Sequence, residues 1–279
     1  MKKSISYWSF EGGLAGTAPI KDVLAQGKKL GYDAVELCFA LTGPLTPTTT
    51  EEQCKQILAQ AKEIGIEISS LCTGTYWDIS LTAESEEERK KAYDFTVSYI
   101  EHARMMKLNA ILVVPGAVDV FFKPGFTPVQ YDLVWKRSVQ QLKKLARVAE
   151  KNKVTICVEN VWNKFLLSPV EIKMFLQEIG SRWVASYFDV GNIMLYGYPQ
   201  QWIRILGKTI KRIHFKDFKR SVGTAAGFCD LLAGDVPWAE VMKAFREVGY
   251  DGYCTAEMVP PTPGVLERTS AAMDKIFKM

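Results

Sequence analysis

The sequence predicts an α/β protein, a single (β/α)8 barrel forming one domain over residues 1–279, and three observations carry that expectation. A Gly or Asn of the kind that stops a helix precedes an apolar, strand-like run seven times, and an initial run at residues 4–8 makes eight strands. Strands alternating with helices imply a parallel sheet, and eight such units fit the roughly 250 residues that closed barrels use. No Gly-x-Gly-x-x-Gly or Walker-type loop follows a strand, which argues against an open dinucleotide-binding sheet.

The junctions run in order along the chain. Gly31 precedes Ala34-Val35-Glu36-Leu37, Gly65 precedes Ile66-Glu67-Ile68, and Asn109 precedes Ala110-Ile111-Leu112-Val113-Val114. Asn152 precedes Val154-Thr155-Ile156-Cys157-Val158, and Gly180 precedes Val184-Ala185-Ser186-Tyr187-Phe188. Gly207 precedes Ile210-Lys211-Arg212-Ile213, and Gly249 precedes Tyr253-Cys254-Thr255-Ala256. Helix starts agree: Thr50 with Gln53, Thr127-Pro128 with Gln130, and Ser168-Pro169 with Glu171 each pair a capping hydroxyl with Glu or Gln three residues later. Between them, Val134, Leu142, Leu145 and Ala149 recur at mostly helical spacing, with basic residues interposed, so one face is buried.

Composition narrows the setting. Hydrophobic residues at 48% and charged residues at 24% describe an ordinary folded chain able to bury a large core. A balance of 35 basic against 31 acidic residues is too even to point to nucleic acid. No run is long enough for a signal peptide or a membrane span, so a cytoplasmic protein without a membrane partner is expected. Six scattered cysteines lacking any Cys-x-x-Cys pair read as free thiols, not as a disulfide framework.

Active sites in such barrels sit at the carboxyl ends of the strands. Strand five ends in Glu159, strand six in Asp189, strand seven in His214 and strand eight in Glu257. His214 is one of only two histidines, so its place beside an acidic strand end asks for a specific role. Three hard oxygen donors and one imidazole suit one divalent ion, Mn²⁺ first, with Mg²⁺, Co²⁺ or Zn²⁺ as alternatives. Strand parity puts Glu159 on one face with Thr155 and Cys157, and Glu257 with Tyr253 and Thr255. His214 shares its face with Lys216 above and Arg212 below, and a charge that low in a barrel needs a partner.

Five motifs between residues 157 and 257 carry a resemblance that runs over essentially the whole chain. They are Cys157-Val158-Glu159-Asn160, Tyr187-Phe188-Asp189-Val190-Gly191-Asn192, Ile213-His214-Phe215-Lys216-Asp217, Ala233-Gly234-Asp235-Val236-Pro237-Trp238, and Gly252-Tyr253-Cys254-Thr255-Ala256-Glu257. In these the chain resembles the xylose isomerase-like TIM barrels, and within them the branch labelled hexulose-6-phosphate isomerase or L-xylulose-5-phosphate 3-epimerase. The resemblance implies that Glu159, Asp189, His214 and Glu257 hold the metal, and that Glu159 and Glu257 also move protons. It implies a sugar or sugar-phosphate isomerase or epimerase: a carboxylate removes the proton beside a ketose carbonyl and the metal steadies the enediolate. Carboxylates on two sides of the sugar permit epimerisation, whereas a single base on one face gives aldose–ketose isomerisation.

The same resemblance places a histidine three residues after the strand-six Asp in free-ketose epimerases, where this chain has Asn192. That favours a phosphorylated sugar, with Lys216, Lys219 and Arg220 near the strand-seven loop as phosphate-side candidates. Asn192, Trp162 and Glu36 complete the expected substrate-binding set, and Trp8, Tyr76 and Trp77 are further aromatic candidates for the pocket wall. His102 reads as a surface or interhelix residue. The alternative chemistry is a lyase of the inosose or dehydroshikimate dehydratase type on the same metal site. A trinuclear zinc nuclease is excluded, because two histidines cannot build its cluster. The expected partner is thus a small sugar or sugar phosphate, with a homo-oligomer an open possibility.

Overall fold

The computed structural model describes residues 1–279. Eight parallel strands close on themselves: β1 (Lys2–Ser6), β2 (Ala34–Cys38), β3 (Glu67–Cys72), β4 (Ala110–Val113), β5 (Thr155–Glu159), β6 (Val184–Asp189), β7 (Ile210–Phe215) and β8 (Tyr253–Ala256). They neighbour one another in chain order, and β8 returns to β1 through the register Lys2 to Tyr253 and Ile5 to Ala256. Eight helices follow the strands in turn: α1 (Ile20–Lys29), α2 (Glu51–Ile64), α3 (Glu86–Met105), α4 (Tyr131–Asn152), α5 (Pro169–Ile179), α6 (Pro199–Leu206), α7 (Trp238–Glu247) and α8 (Val265–Ile276). The loop after β7 carries an extra antiparallel hairpin, Asp217–Phe218 with Phe228–Cys229.

The local signals mostly act as expected. Thr50 and Gln53 form a reciprocal capping box on α2, and Ser168 caps α5 with Pro169 in its first turn. Gly65 and Gly180 end their helices in the left-handed conformation. Two details differ. At the Asn109 and Asn152 junctions the left-handed residues are Lys107 and Lys153, because α4 runs through Asn152 and the Lys153 N–H closes onto Ala149 and Glu150. Thr127-Pro128 starts no helix either: α4 begins at Tyr131 behind Gln130, and the preceding residues belong to a long loop over the barrel mouth.

Arg212, the charge low in the barrel, finds its partners on neighbouring segments. Its guanidinium donates to the Ser69 carbonyl at 3.2 Å and to Asn109 Oδ1 at 2.6 Å, and it faces the Tyr253 ring. His102 is buried in α3, with its ring nitrogens 2.7 Å and 2.9 Å from the carbonyls of Ser98 and Thr49. It therefore ties α3 to the segment before α2. All six cysteines are free thiols.

Candidate metal centre

The upper ends of β5 to β8 bring Glu159, Asp189, His214 and Glu257 into one buried cluster, each offering a donor atom within 4.8 Å of the others. Strand register does this directly. Asp189 on β6 and Thr255 on β8 are both paired with His214, and the Glu257 N–H bonds the Phe215 carbonyl one step higher. His214 Nδ1 lies 3.0 Å from Glu159 Oε1, 2.8 Å from Glu257 Oε2 and 4.0 Å from Asp189 Oδ2. Glu159 and Glu257 both turn into the cluster, as strand parity predicts for these two residues.

Three carboxylates so close together repel one another. Each such pair costs on the order of 4 kcal/mol at an effective dielectric of 20, so the cluster needs positive charge. Two side chains supply some of it. Burial opposes a charge on His214, yet Glu36, Glu257 and Glu159 outweigh it and raise the imidazole well above its ordinary value. Lys216 Nζ sits 2.9 Å from Glu257 Oε2 and 3.1 Å from Asp189 Oδ2. Burial pushes the Glu159 carboxyl up to about 7 although His214 opposes this, whereas Lys216 and His214 overcome burial at Glu257 and hold it down to about 2. Burial also raises Asp189.

The donor set fits a divalent cation on grounds internal to this structure. Asp189 Oδ2 is buried and accepts no hydrogen bond, although the Lys216 ammonium lies 3.1 Å away. An orphaned carboxylate oxygen aimed into a group of further oxygens and one imidazole nitrogen is what a hard cation satisfies. Glu159, Asp189, His214 and Glu257 are the residues that would hold it.

The loops above are locked by side-chain amides. Asn160 Nδ2 donates to the Asp189 carbonyl at 2.8 Å and its Oδ1 accepts the Asp189 N–H at 2.9 Å, fixing the end of β6 against β5. The Asn192 N–H reaches Asp189 Oδ1 at 2.8 Å and its side chain donates to the Asn160 carbonyl. Trp162 donates from its indole to the Asn192 carbonyl at 2.7 Å and packs on Phe218 and Phe228. Gly191 permits this closeness, because a Cβ there would lie 2.5 Å from Lys216 Cβ.

Two of the residues expected to contact substrate are buried and hydrogen-bonded within the protein. Glu36 does not line a sugar pocket: it lies under His214 with no exposed surface, its Oε2 2.8 Å from His214 Nε2 and its Oε1 accepting from Ser70 Oγ and Tyr187 Oη. Asn192 is 4% exposed and its amide nitrogen donates to the Asn160 carbonyl. The other candidates divide. Lys216 and Glu257 line a cavity of about 300 Å³ together with Phe228, Met258 and Pro260. Lys219 and Arg220 are exposed on the hairpin, where the Arg220 guanidinium lies over the Tyr198 ring. Trp162 faces a separate apolar depression of about 570 Å³ beside Phe121 and Leu195. Tyr76 is buried against α3 through Thr96.

One residue carried more than its motif revealed. Asp217 accepts the N–H groups of Phe218, Leu232 and Val236 and the indole N–H of Trp238. Gly234 lies so close that a Cβ would be 2.2 Å from Asp217 Oδ1. The Ala233 to Trp238 motif is thus a clasp around Asp217 that sets the hairpin, and with it Phe228, over the cluster.

The profile of the xylose isomerase-like TIM barrels matches residues 24–276, nearly the whole chain. The chain belongs to that family. D-psicose 3-epimerase of Enterocloster bolteae is 25% identical over 260 residues, covering 90% of this chain and 79% of that protein. D-psicose 3-epimerase of Ruminiclostridium cellulolyticum is 24% identical over 257 residues, covering 90% and 81%. The solved structure of D-psicose 3-epimerase with D-tagatose from Clostridium cellulolyticum superposes with a TM-score of 0.81 at 21% identity, covering 99% of this chain and 98% of that one, which shows a shared fold.

Proposed function

We propose that this family member is an isomerase of the ketose 3-epimerase kind, dependent on one divalent metal ion at Glu159, Asp189, His214 and Glu257. The observation that carries the reading is the meeting of Glu159 and Glu257 at one point from two separated strands, each within 3.0 Å of His214 Nδ1. The names of the relatives, 3-epimerases aligned over about nine-tenths of the chain, support the same chemistry. They lend no support to the dehydratase alternative, which is not carried forward.

Bound among these residues, the ion would polarise the ketose carbonyl and neutralise charge that develops beside it. The rest falls to the chain. Glu159 and Glu257 approach from opposite flanks of the cluster, so one carboxylate takes the C3 proton and the other, holding a proton, delivers it to the opposite face. The reverse reaction exchanges their roles, and no atom is gained or lost. Lys216, on the wall of the cavity, donates to a substrate oxygen next to the reacting carbons. Phe228 and Met258 exclude water from the same space.

The substrate in this reading carries no phosphate. Lys216 is the one cation on the cavity wall and is shared with Asp189 and Glu257, while Lys219 and Arg220 stand on the exposed hairpin away from it, so no cluster of positive charge awaits a phosphate. The deciding measurement is deuterium incorporation from solvent into a panel of ketohexoses, ketopentoses and their phosphates with Mn²⁺ present. Exchange at C3 of an unphosphorylated ketose is expected. Exchange confined to C1 or C2 would make the enzyme an aldose–ketose isomerase, exchange only in the phosphates would reverse the substrate assignment, and none at all would sink the catalytic reading.

A further inference from the structure

We propose that Glu36, with Ser70 and Tyr187 behind it, is the positioning residue of the metal centre: it holds the His214 ring so that Nδ1 is the nitrogen presented to the ion. The proposal rests on the metal reading above, and it concerns residues that the four-ligand set leaves out. Glu36 reaches from β2 across the barrel interior to β7, and neither it nor His214 has exposed surface. Every strong acceptor site of its carboxylate is directed: Oε2 faces His214 Nε2 at 2.8 Å, and Oε1 accepts from Ser70 Oγ at 2.7 Å and Tyr187 Oη at 2.6 Å. The Tyr187 ring also packs on the imidazole, with centroids 4.5 Å apart.

The chemistry follows from the two nitrogens of imidazole. Either can bind a metal, and the one that does must be free of its proton. A carboxylate fixed at Nε2 keeps the proton there, leaves the lone pair on Nδ1, and makes that lone pair more basic. Nδ1 is the nitrogen that faces Glu159, Glu257 and Asp189. A fourth buried carboxylate under three others is otherwise unfavourable, so its directed contacts give it a task that packing alone would not require.

The test compares Mn²⁺ binding to wild type and to Glu36→Gln by electron paramagnetic resonance, with the visible absorption of the Co²⁺-loaded proteins and the melting of the metal-free ones. Glu36→Gln keeps the shape and removes the charge; a 10- to 100-fold weaker Mn²⁺ affinity and an altered Co²⁺ band are expected. Tyr187→Phe, which spares the carboxylate and removes one anchor, should lose less. If Glu36→Gln melts like wild type, binds Mn²⁺ within twofold of it and leaves the Co²⁺ band unmoved, the proposal is overturned. If Glu36→Gln does not fold, the Ser70→Ala/Tyr187→Phe double variant decides: weaker Mn²⁺ binding supports the proposal and unchanged binding overturns it. Wild type that binds no Mn²⁺ would instead overturn the metal reading on which this one stands.

Discussion

The two halves of the barrel end differently. β1 to β4 finish in Ser6, Cys38, Cys72 and Val113, small neutral side chains, whereas β5 to β8 finish in or beside Glu159, Asp189, His214 and Glu257. Both halves have the same backbone and close into one sheet. The only carboxylate that the first half sends inward near this level, Glu36, serves the second half by facing His214. In the proposed reading the chemistry is concentrated on four neighbouring strands, and the other four act as scaffold and as support for His214. That division makes quantitative predictions.

The largest effects belong to the proton carriers. Glu159→Gln and Glu257→Gln each keep shape and hydrogen bonding but remove the base, so turnover should fall by roughly 10² to 10⁴ while circular dichroism stays unchanged. C3 deuterium exchange measured in each variant checks this, and wild-type rates in either would refute the assigned role. Next comes His214→Ala. Without the imidazole, Glu36 and Glu159 lose their charge-bearing partner inside the barrel, a situation that costs about 3–5 kcal/mol. Urea unfolding of the metal-free protein should show it. A loss below about 1 kcal/mol would mean that the carboxylates relax apart, and the cluster is softer than its distances imply.

Much of this was legible in the chain because each member of the buried cluster stands at or next to the end of its own strand. Reading strand ends one by one yields Glu159, Asp189, His214 and Glu257 without knowing how the barrel closes. What could not be read depends on closure. Glu36 shares a strand face with Cys38 and looks like a pocket carboxylate until β2 and β7 are seen across the interior from one another. The partner of Arg212 was hidden for the same reason, since Asn109 and Ser69 come from segments distant in the chain. Asn192 is a different case. Its position in the motif suggests a substrate contact, whereas in the structure its amide nitrogen donates to the Asn160 carbonyl. At Asn109 and Asn152 the sequence preference for left-handed Asn was overridden by helix length, and a lysine took the strained turn instead.

A third prediction concerns Lys216, whose ammonium lies against two of the residues assigned to the metal. Lys216→Met should tighten Mn²⁺ binding by about tenfold, because a cation about 3 Å from Asp189 and Glu257 repels the incoming ion. The same change should raise KM by removing the donor on the cavity wall. Calorimetric Mn²⁺ titration and steady-state kinetics separate the two. Weaker Mn²⁺ binding in this variant would mean that the lysine organises the carboxylates more than it competes for them.

The smallest effect tests the other half. Cys38 and Cys72 are paired in register at the ends of β2 and β3, directly above Glu36 and Ser70, and Cys72 is fully buried with Sγ 3.9 Å from Ser6 Oγ. If that half is scaffold, Cys72→Ala removes one buried sulfur and should cost about 1 kcal/mol of stability, with turnover and Mn²⁺ affinity within threefold of wild type. Cys38→Ala, at a less buried site, should cost less still. A tenfold loss of Mn²⁺ affinity in the Cys72 variant, with stability otherwise preserved, would show that packing over Glu36 is needed to hold His214. The boundary between chemical and supporting strands would then have to be drawn one layer deeper, through β3.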